Sequence, residues 1–153
     1  MLAAAFAPAP THSLLNSRAL WATVDVCNPK HQPHWIGIRG SMPGDGHAKD
    51  VMYMRVRVQY LDESTKQWVN LGKLGDSGPL KLGSGVLTRQ GGFSVELAPA
   101  AGKVAFTLRG YVTYQWRRGA TVLESATRLT TSGHTSLAGA NPRGFSAATC
   151  KLT

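Results

Sequence analysis

Cys27 is followed by two histidines and two prolines in CNPKHQPH, residues 27–34. A zinc ion accepts the local spacing of Cys27, His31 and His34. Cys150, the only other cysteine, would complete a tetrahedral set of two thiolates and two imidazoles. Structural zinc sites usually draw their ligands from two short clusters, and Cys150 has no second ligand nearby. Pro29 and Pro33 also stiffen the loop that would have to converge. In an exported protein two cysteines more often oxidise to each other. The expectation is therefore a Cys27–Cys150 disulfide, ahead of free thiols and of a metal site, with no metal and no cofactor. In the chain-entropy account a loop of that size is stabilised by roughly 4–5 kcal/mol. The link would also bring the first and last strands beside or opposite one another, with His31 and His34 in a loop.

A second stretch with chemical content is KLGDSGPLKL, residues 73–82. Gly75-Asp76-Ser77-Gly78-Pro79 resembles the nucleophile segment of chymotrypsin-like serine proteases, in which the serine attacks and backbone amides bind the oxyanion. The family pattern has a further glycine before the proline, absent here, and its His and Asp partners come from an N-terminal barrel. The sequence before Ser77 is too short for one, and His12, His31, His34 and His47 have no triad context. Asp, Ser, Gly and Pro are also turn formers, so a polar turn is the plainer reading. No G-x-S-x-G, H-E-x-x-H or P-loop pattern occurs. Asp45 and Asp50 are a thin pair for calcium in a basic chain. The expectation is that the chain is not an enzyme.

What remains is charge and aromatics. The 153 residues carry 17 Lys and Arg against 8 Asp and Glu, a formal charge of +9. Such a balance favours anionic surfaces, whether nucleic acid, acidic lipid or an anionic cell-wall polymer, and a glycan or another protein is a further partner class. There is no run of four basic residues and no specific nucleic-acid motif. Arg55, Arg57, Arg109 and Arg117 share the outward parity of two long strands with Tyr53 and Tyr111. If those strands are neighbours, the six residues form a basic, aromatic strip able to bind an anionic polymer. An ordinary solvated sheet face with cross-strand stacking is the alternative. Trp35 and Trp68 are further candidates for exposed rings.

The elements that must position these residues follow from alternation. In LWATVDVC, Leu20, Ala22, Val24 and Val26 share one face while Thr23 and Asp25 share the other. Ile36 and Ile38 pair off in HWIGIRG. VMYMRVRVQYL puts Met52, Met54, Val56, Val58 and Tyr60 on one side and Tyr53, Arg55, Arg57 and Gln59 on the other. A period of two marks a half-buried strand. DESTKQ reads as a hairpin loop before the short strand QWVNLG. Residues 72–92 carry seven glycines and read as loop with one short strand near Val86-Leu87-Thr88. GFSVELA alternates again, and APAAGK is a turn. KVAFTLRGYVTYQWRRG is the longest candidate, with Val104 to Trp116 in one parity and Gly110 as the place for a bulge. Arg117-Arg118-Gly119-Ala120 turns the chain back into TVLESATRLTT. SGHTSLAGANPRG is loop and FSAATCKLT a final short strand. Only HSLLNSRAL, ending at Leu20, could make a helical turn.

About seven to nine short strands with little helix predict an all-β, antiparallel two-sheet sandwich; a closed barrel is the alternative. The run Tyr114-x-Trp116-x-x-Gly119-x-x-Val122 resembles the strand–turn–strand hairpin of immunoglobulin-like and fibronectin-type domains. The pattern over residues 20–153 resembles small secreted bacterial proteins with such a sandwich, whose functions are uncharacterised. The resemblance implies an immunoglobulin-like fold and transfers no catalytic residues. It departs in its cysteines, which lie in the first and last strands rather than in internal ones. MLAAAFAPAPTHS, with Ala5-Phe6-Ala7 and Ala7-Pro8-Ala9 as small-x-small steps, reads as the remnant of an export signal or a disordered tail. Residues 1–18 are thus set apart from a single domain at 19–153. No apolar run reaches the length of a membrane span. The functional expectation is a secreted, non-enzymatic binding protein of the cell envelope or extracellular space. A spacer domain without a ligand is the alternative, and a hydrolase using Ser77 or a bound metal comes after it.

Overall fold

The computed structural model describes residues 12–97 and 105–153. Most of the segment read as an export remnant, the APAAGK turn and Val104 lie outside those residues. The described residues open with a single helical turn, α1 (His12–Leu15), and contain nine strands: β1 (Trp21–Cys27), β2 (Trp35–Met42), β3 (Val51–Asp62), β4 (Gln67–Asn70), β5 (Leu80–Ser84), β6 (Arg89–Glu96), β7 (Phe106–Arg118), β8 (Thr121–Leu129) and β9 (Cys150–Leu152). They form two antiparallel sheets packed face to face, as the alternation predicts. One sheet has the order β1-β2-β6. The other is built on the long β3–β7 pair. β4 and β5 share the far edge of β3, and β8 and β9 share the far edge of β7.

The alternating aliphatics meet between the sheets. Ala22, Val24, Ile36 and Ile38 from one sheet face Met52, Met54, Val56, Val58, Leu108, Val112, Tyr114 and Trp116 from the other, all buried. The two large polar-tipped rings have their tips satisfied, as burial demands. Trp116 Nε1 donates to the Pro43 carbonyl at 2.8 Å and Tyr114 OH to the Trp21 carbonyl at 2.5 Å.

The disulfide is present and joins the sheets. Cys27 ends β1, Cys150 opens β9, and their Cα atoms are 5.6 Å apart. Cys27 therefore has no thiolate to offer a metal. His31 is exposed in the following loop, and His34 has a left-handed backbone (φ 68°) whose N–H donates to Asn28 Oδ1 at 2.8 Å.

The structure departs from the sequence reading in three places. Gly110 is not a bulge: β3 and β7 keep regular register through it, and the β7–β8 register shifts instead beyond Trp116. A Cβ on Gly110 would lie 2.7 Å from Thr130 Cγ2 and 2.8 Å from Ile38 Cδ1, so the glycine lets the sheets approach. The stretch 72–92 is not mainly loop: it holds β5 and the start of β6, and Val86-Leu87-Thr88, read as its strand, lies in the turn between them that carries the chain from one sheet to the other. Finally, Thr23 and Asp25 are as buried as the aliphatics beside them. The segment after β8 runs along β1 and over its outer face: Ala147 and Val24 exchange backbone hydrogen bonds, and Thr23 Oγ1 lies 2.6 Å from Ser146 Oγ.

Candidate functional site: a basic face on the larger sheet

β3 and β7 are neighbours, so the condition for the strip is met geometrically. Opposite residues in an antiparallel pair share a face. The register sets Arg57 against Tyr111, Arg55 against Thr113, Tyr53 against Gln115, Gln59 against Arg109 and Val51 against Arg117. Tyr53, Arg55, Arg57, Arg109, Tyr111 and Arg117 thus share the outer face of the larger sheet, each half-buried.

The arginines are held by different means. Arg55 makes a two-pronged ion pair with Asp76, Nε to Oδ1 at 2.9 Å and Nη2 to Oδ2 at 2.6 Å. Arg57 Nε approaches the same carboxylate at 3.8 Å. The Arg109 guanidinium carbon sits over the Trp68 ring, 4.2 Å from its centroid, and its Nε donates to Gln59 Oε1 at 2.9 Å. Arg117 covers Tyr53 at 4.2 Å, and its Nε and Nη2 both donate to Gln115 Oε1, at 2.8 and 2.5 Å. Stacking and a planar fork keep a guanidinium extended, which suits it to carboxylate, sulfate or phosphate. Among the described residues these four arginines pair with a single carboxylate, that of Asp76. Lys81, opposite Tyr53 on β5, adds another cation to the face.

Asp76 and Ser77 reach this face because GDSGP lies along a sheet edge. It fills the edge of β3 between β5 and β4. Ser77 N–H donates to the Val56 carbonyl, and the Ser77 hydroxyl accepts the Val56 N–H at 2.9 Å while donating to the Gly78 carbonyl at 2.7 Å. Asp76 Oδ1 accepts the Gly78 N–H at 2.9 Å. The Arg55 hydrogen bonds, helped by this N–H and by the charge of Arg57, hold the Asp76 carboxyl down at about 2. The result is a recess of about 140 Å³ lined by Tyr53, Arg55, Arg57, Pro79, Gln115 and Arg117 among others.

The alternation found the six strip residues but could not find Asp76, Trp68's role under Arg109, or Lys81. Their positions depend on which segment returns to the edge of β3. Trp35 lies on β2, in the other sheet, apart from this face. Asp45 and Asp50 do not frame a cation site. Asp50, fully buried, takes both prongs of Arg118 at 2.7 and 3.1 Å, which lowers its carboxyl. Burial and a hydrogen bond with Asp50 raise that of Asp45. Among the described residues no group of His, Cys, Asp and Glu is arranged to hold a metal ion, and no helix is long and apolar enough to cross a membrane.

No family model matches the chain, and no curated protein sequence matches it. Similar solved structures include a Bacteroides uniformis β-glucuronidase, 14% identical over 74% of this chain with a TM-score of 0.38. A second is Bacteroides uniformis β-glucuronidase 2 bound covalently to cyclophellitol-6-carboxylate aziridine, 17% identical over 74% with a TM-score of 0.36. The chain spans about 13% of the length of each. The sporulation control protein Spo0M of Bacillus subtilis is 12% identical over 74% of this chain and 47% of its own, with a TM-score of 0.27.

Proposed function

We propose that this chain is a secreted, non-enzymatic β-sandwich protein that binds an anionic polymer through the outer face of its larger sheet. The observation that carries the reading is the row of four arginines on β3 and β7 beside a single carboxylate, that of Asp76, which pairs with Arg55 and Arg57 alone. Three of them are pre-oriented by stacking or by a fork, so less side-chain entropy is lost when an anion arrives. Arginines already cover the rings of Tyr53 and Trp68, so recognition by charge is favoured over stacking. An acidic glycan or cell-wall polymer of the envelope or extracellular space fits that chemistry. The disulfide supports an oxidising compartment.

Retention of the full chain on heparin, polygalacturonate and polyglutamate matrices at about 150 mM NaCl tests the reading. Arg57→Gln with Arg117→Gln should weaken retention by about tenfold while leaving the melting temperature nearly unchanged. Absence of retention on all three matrices sinks the proposal. A second reading has its own support. Arg55, Arg109 and Arg117 each have intramolecular partners, as the face of a spacer domain would. In that case the double variant changes nothing on any matrix.

A further inference from the structure

Side-chain contacts gather the four arginines of the basic face into one row along β3. Arg55 and Arg57 belong to that strand. Arg109 and Arg117 belong to β7 but lean onto β3 from its two ends. Arg117 covers the ring of Tyr53. Arg109 reaches across β3: its Nε donates to Gln59, and its guanidinium carbon sits over Trp68 of β4, on the far side. The successive outward positions Tyr53, Arg55, Arg57 and Gln59 thus each carry or meet a guanidinium, in the order Arg117, Arg55, Arg57, Arg109. Same-face residues of an antiparallel strand recur at roughly 7 Å, so the row runs for about 20 Å.

Each member keeps donors uncommitted. Among the described residues Arg55 and Arg117 use Nε and Nη2 and leave Nη1. Arg109 uses Nε alone, and Arg57 has only its 3.8 Å approach to Asp76. The recess on this face opens between Arg55, Arg57 and Arg117.

The repeat of the row selects among polyanions by their bond count. Two residues of extended backbone contain six bonds along the chain. A phosphodiester chain with three carbons between its phosphates also has six bonds from phosphorus to phosphorus. Extended, it repeats at the same step of roughly 7 Å. Each phosphate offers two unesterified oxygens to a guanidinium fork. Polyphosphate, with two bonds per step, is too dense for one anion per arginine. An acidic peptide matches the step only as a strand, and a sheet face gives its backbone no ladder to hold it so. Single-stranded nucleic acid shares the step but is held largely by bases stacked on successive rings. Here guanidinium groups already cover Tyr53 and Trp68.

We propose that the row on β3 is a track for an extended polyol phosphate with three carbons between phosphates, one phosphate to each of Arg117, Arg55, Arg57 and Arg109. It rests on the polymer-binding reading above and names the class of polymer.

Fluorescence anisotropy of the full chain with labelled oligomers of propanediol phosphate tests the track. Affinity should climb with each phosphate up to the fourth and then level off. A hexanediol phosphate oligomer of equal charge has a longer step and should bind at least about fivefold more weakly. The logarithm of affinity should fall against that of salt with a slope of about −3, as four phosphate contacts on a single strand require. Arg109→Gln, at the end of the row, should make that slope shallower by one contact and move the levelling to the third phosphate. Arg143→Gln removes the same charge from an exposed position in the segment after β8 and should change neither. Equal affinity for both spacers, equal losses from both variants, or no oligomer binding overturns the track, and retention on the acidic matrices then leaves the broader reading standing. Tighter binding of a thymidine or glutamate oligomer of equal charge also overturns it, in favour of nucleic acid or an acidic protein. Loss of retention on every matrix as well removes both.

Discussion

Asp76 is the residue on which the basic face turns, because it stabilises the fold and masks charge at once. Its carboxyl titrates at about 2, below the ordinary 3.8, chiefly through Arg55. A lowered carboxyl contributes stability that is full above the unfolded value and is lost as pH falls through the folded one. Solvent reaches the pair, so the contribution is discounted to about 1 kcal/mol. Asp76→Asn should therefore melt a few degrees below the wild type at neutral pH, and the gap should close between pH 4 and 2. The same change frees Arg55 and Arg57, so retention on an acidic matrix should rise while stability falls. Thermal melts across that pH range, run beside the salt needed for elution, check both signs. Gly110 shows a different constraint at the same scale. Its missing side chain is what lets Ile38 and Thr130 close over β7. Gly110→Ala should cost about 1–3 kcal/mol by overpacking, read as a lowered denaturant midpoint with unchanged slope.

At the scale of elements, alternation was informative wherever one face of a strand is buried and the other wet. β3 and β7 meet that condition, so the six strip residues and most of the core were legible from parity, while their shared face rested on the two strands being neighbours, which parity does not give. β1 does not meet it, because the irregular segment after β8 covers its outer face and buries Thr23 and Asp25. That segment has no period to announce its path. The glycines of β5 and β6 misled for another reason. They are there for close approach: a Cβ on Gly91 would meet Leu82 Cδ2 at 2.6 Å, and one on Gly85, in the turn between the two strands, would run into Asp45 Oδ1. GDSGP likewise has a structural use that no local pattern reveals, since only the fold brings it against Val56. Ser77→Ala tests that use. It leaves the Val56 N–H without its side-chain partner and should cost about 1–2 kcal/mol. Exchange at the Val56 amide should accelerate more than at β7 amides further from this edge. Equal acceleration across both strands would instead mean global destabilisation.

The described residues form two sheets of unequal size, and the disulfide ties them together at the short last strand. β9 has three residues, pairs only with Phe106–Leu108 of β7, and yet buries Leu152 in the core. Such a short strand has little of its own to hold it. Cys150, also buried, ties it to the end of β1 across a separation of 123 residues. Replacing both cysteines by alanine removes a constraint on the unfolded chain and loosens this corner of the folded one. The expected loss is about 2–4 kcal/mol, below the full chain-entropy figure because an unfolded chain retains some structure. For a domain of this size that corresponds to a melting point lower by about 5–15 °C. The loss should not be uniform. Amides of Lys151 and Leu152 should exchange early, through local opening of β9, while the centres of β3 and β7 still exchange only by global unfolding. Uniform loss of protection would mean that β9 is held by packing alone and that the bridge acts only on the unfolded chain. Arg109 adjoins the stretch of β7 that pairs with β9, but Tyr53, Arg55, Arg57 and Arg117 lie further along β3 and β7, so most of the retention on acidic matrices should survive the double alanine variant below its melting point. Retention lost along with the bridge would tie the basic face to the closure of the sandwich.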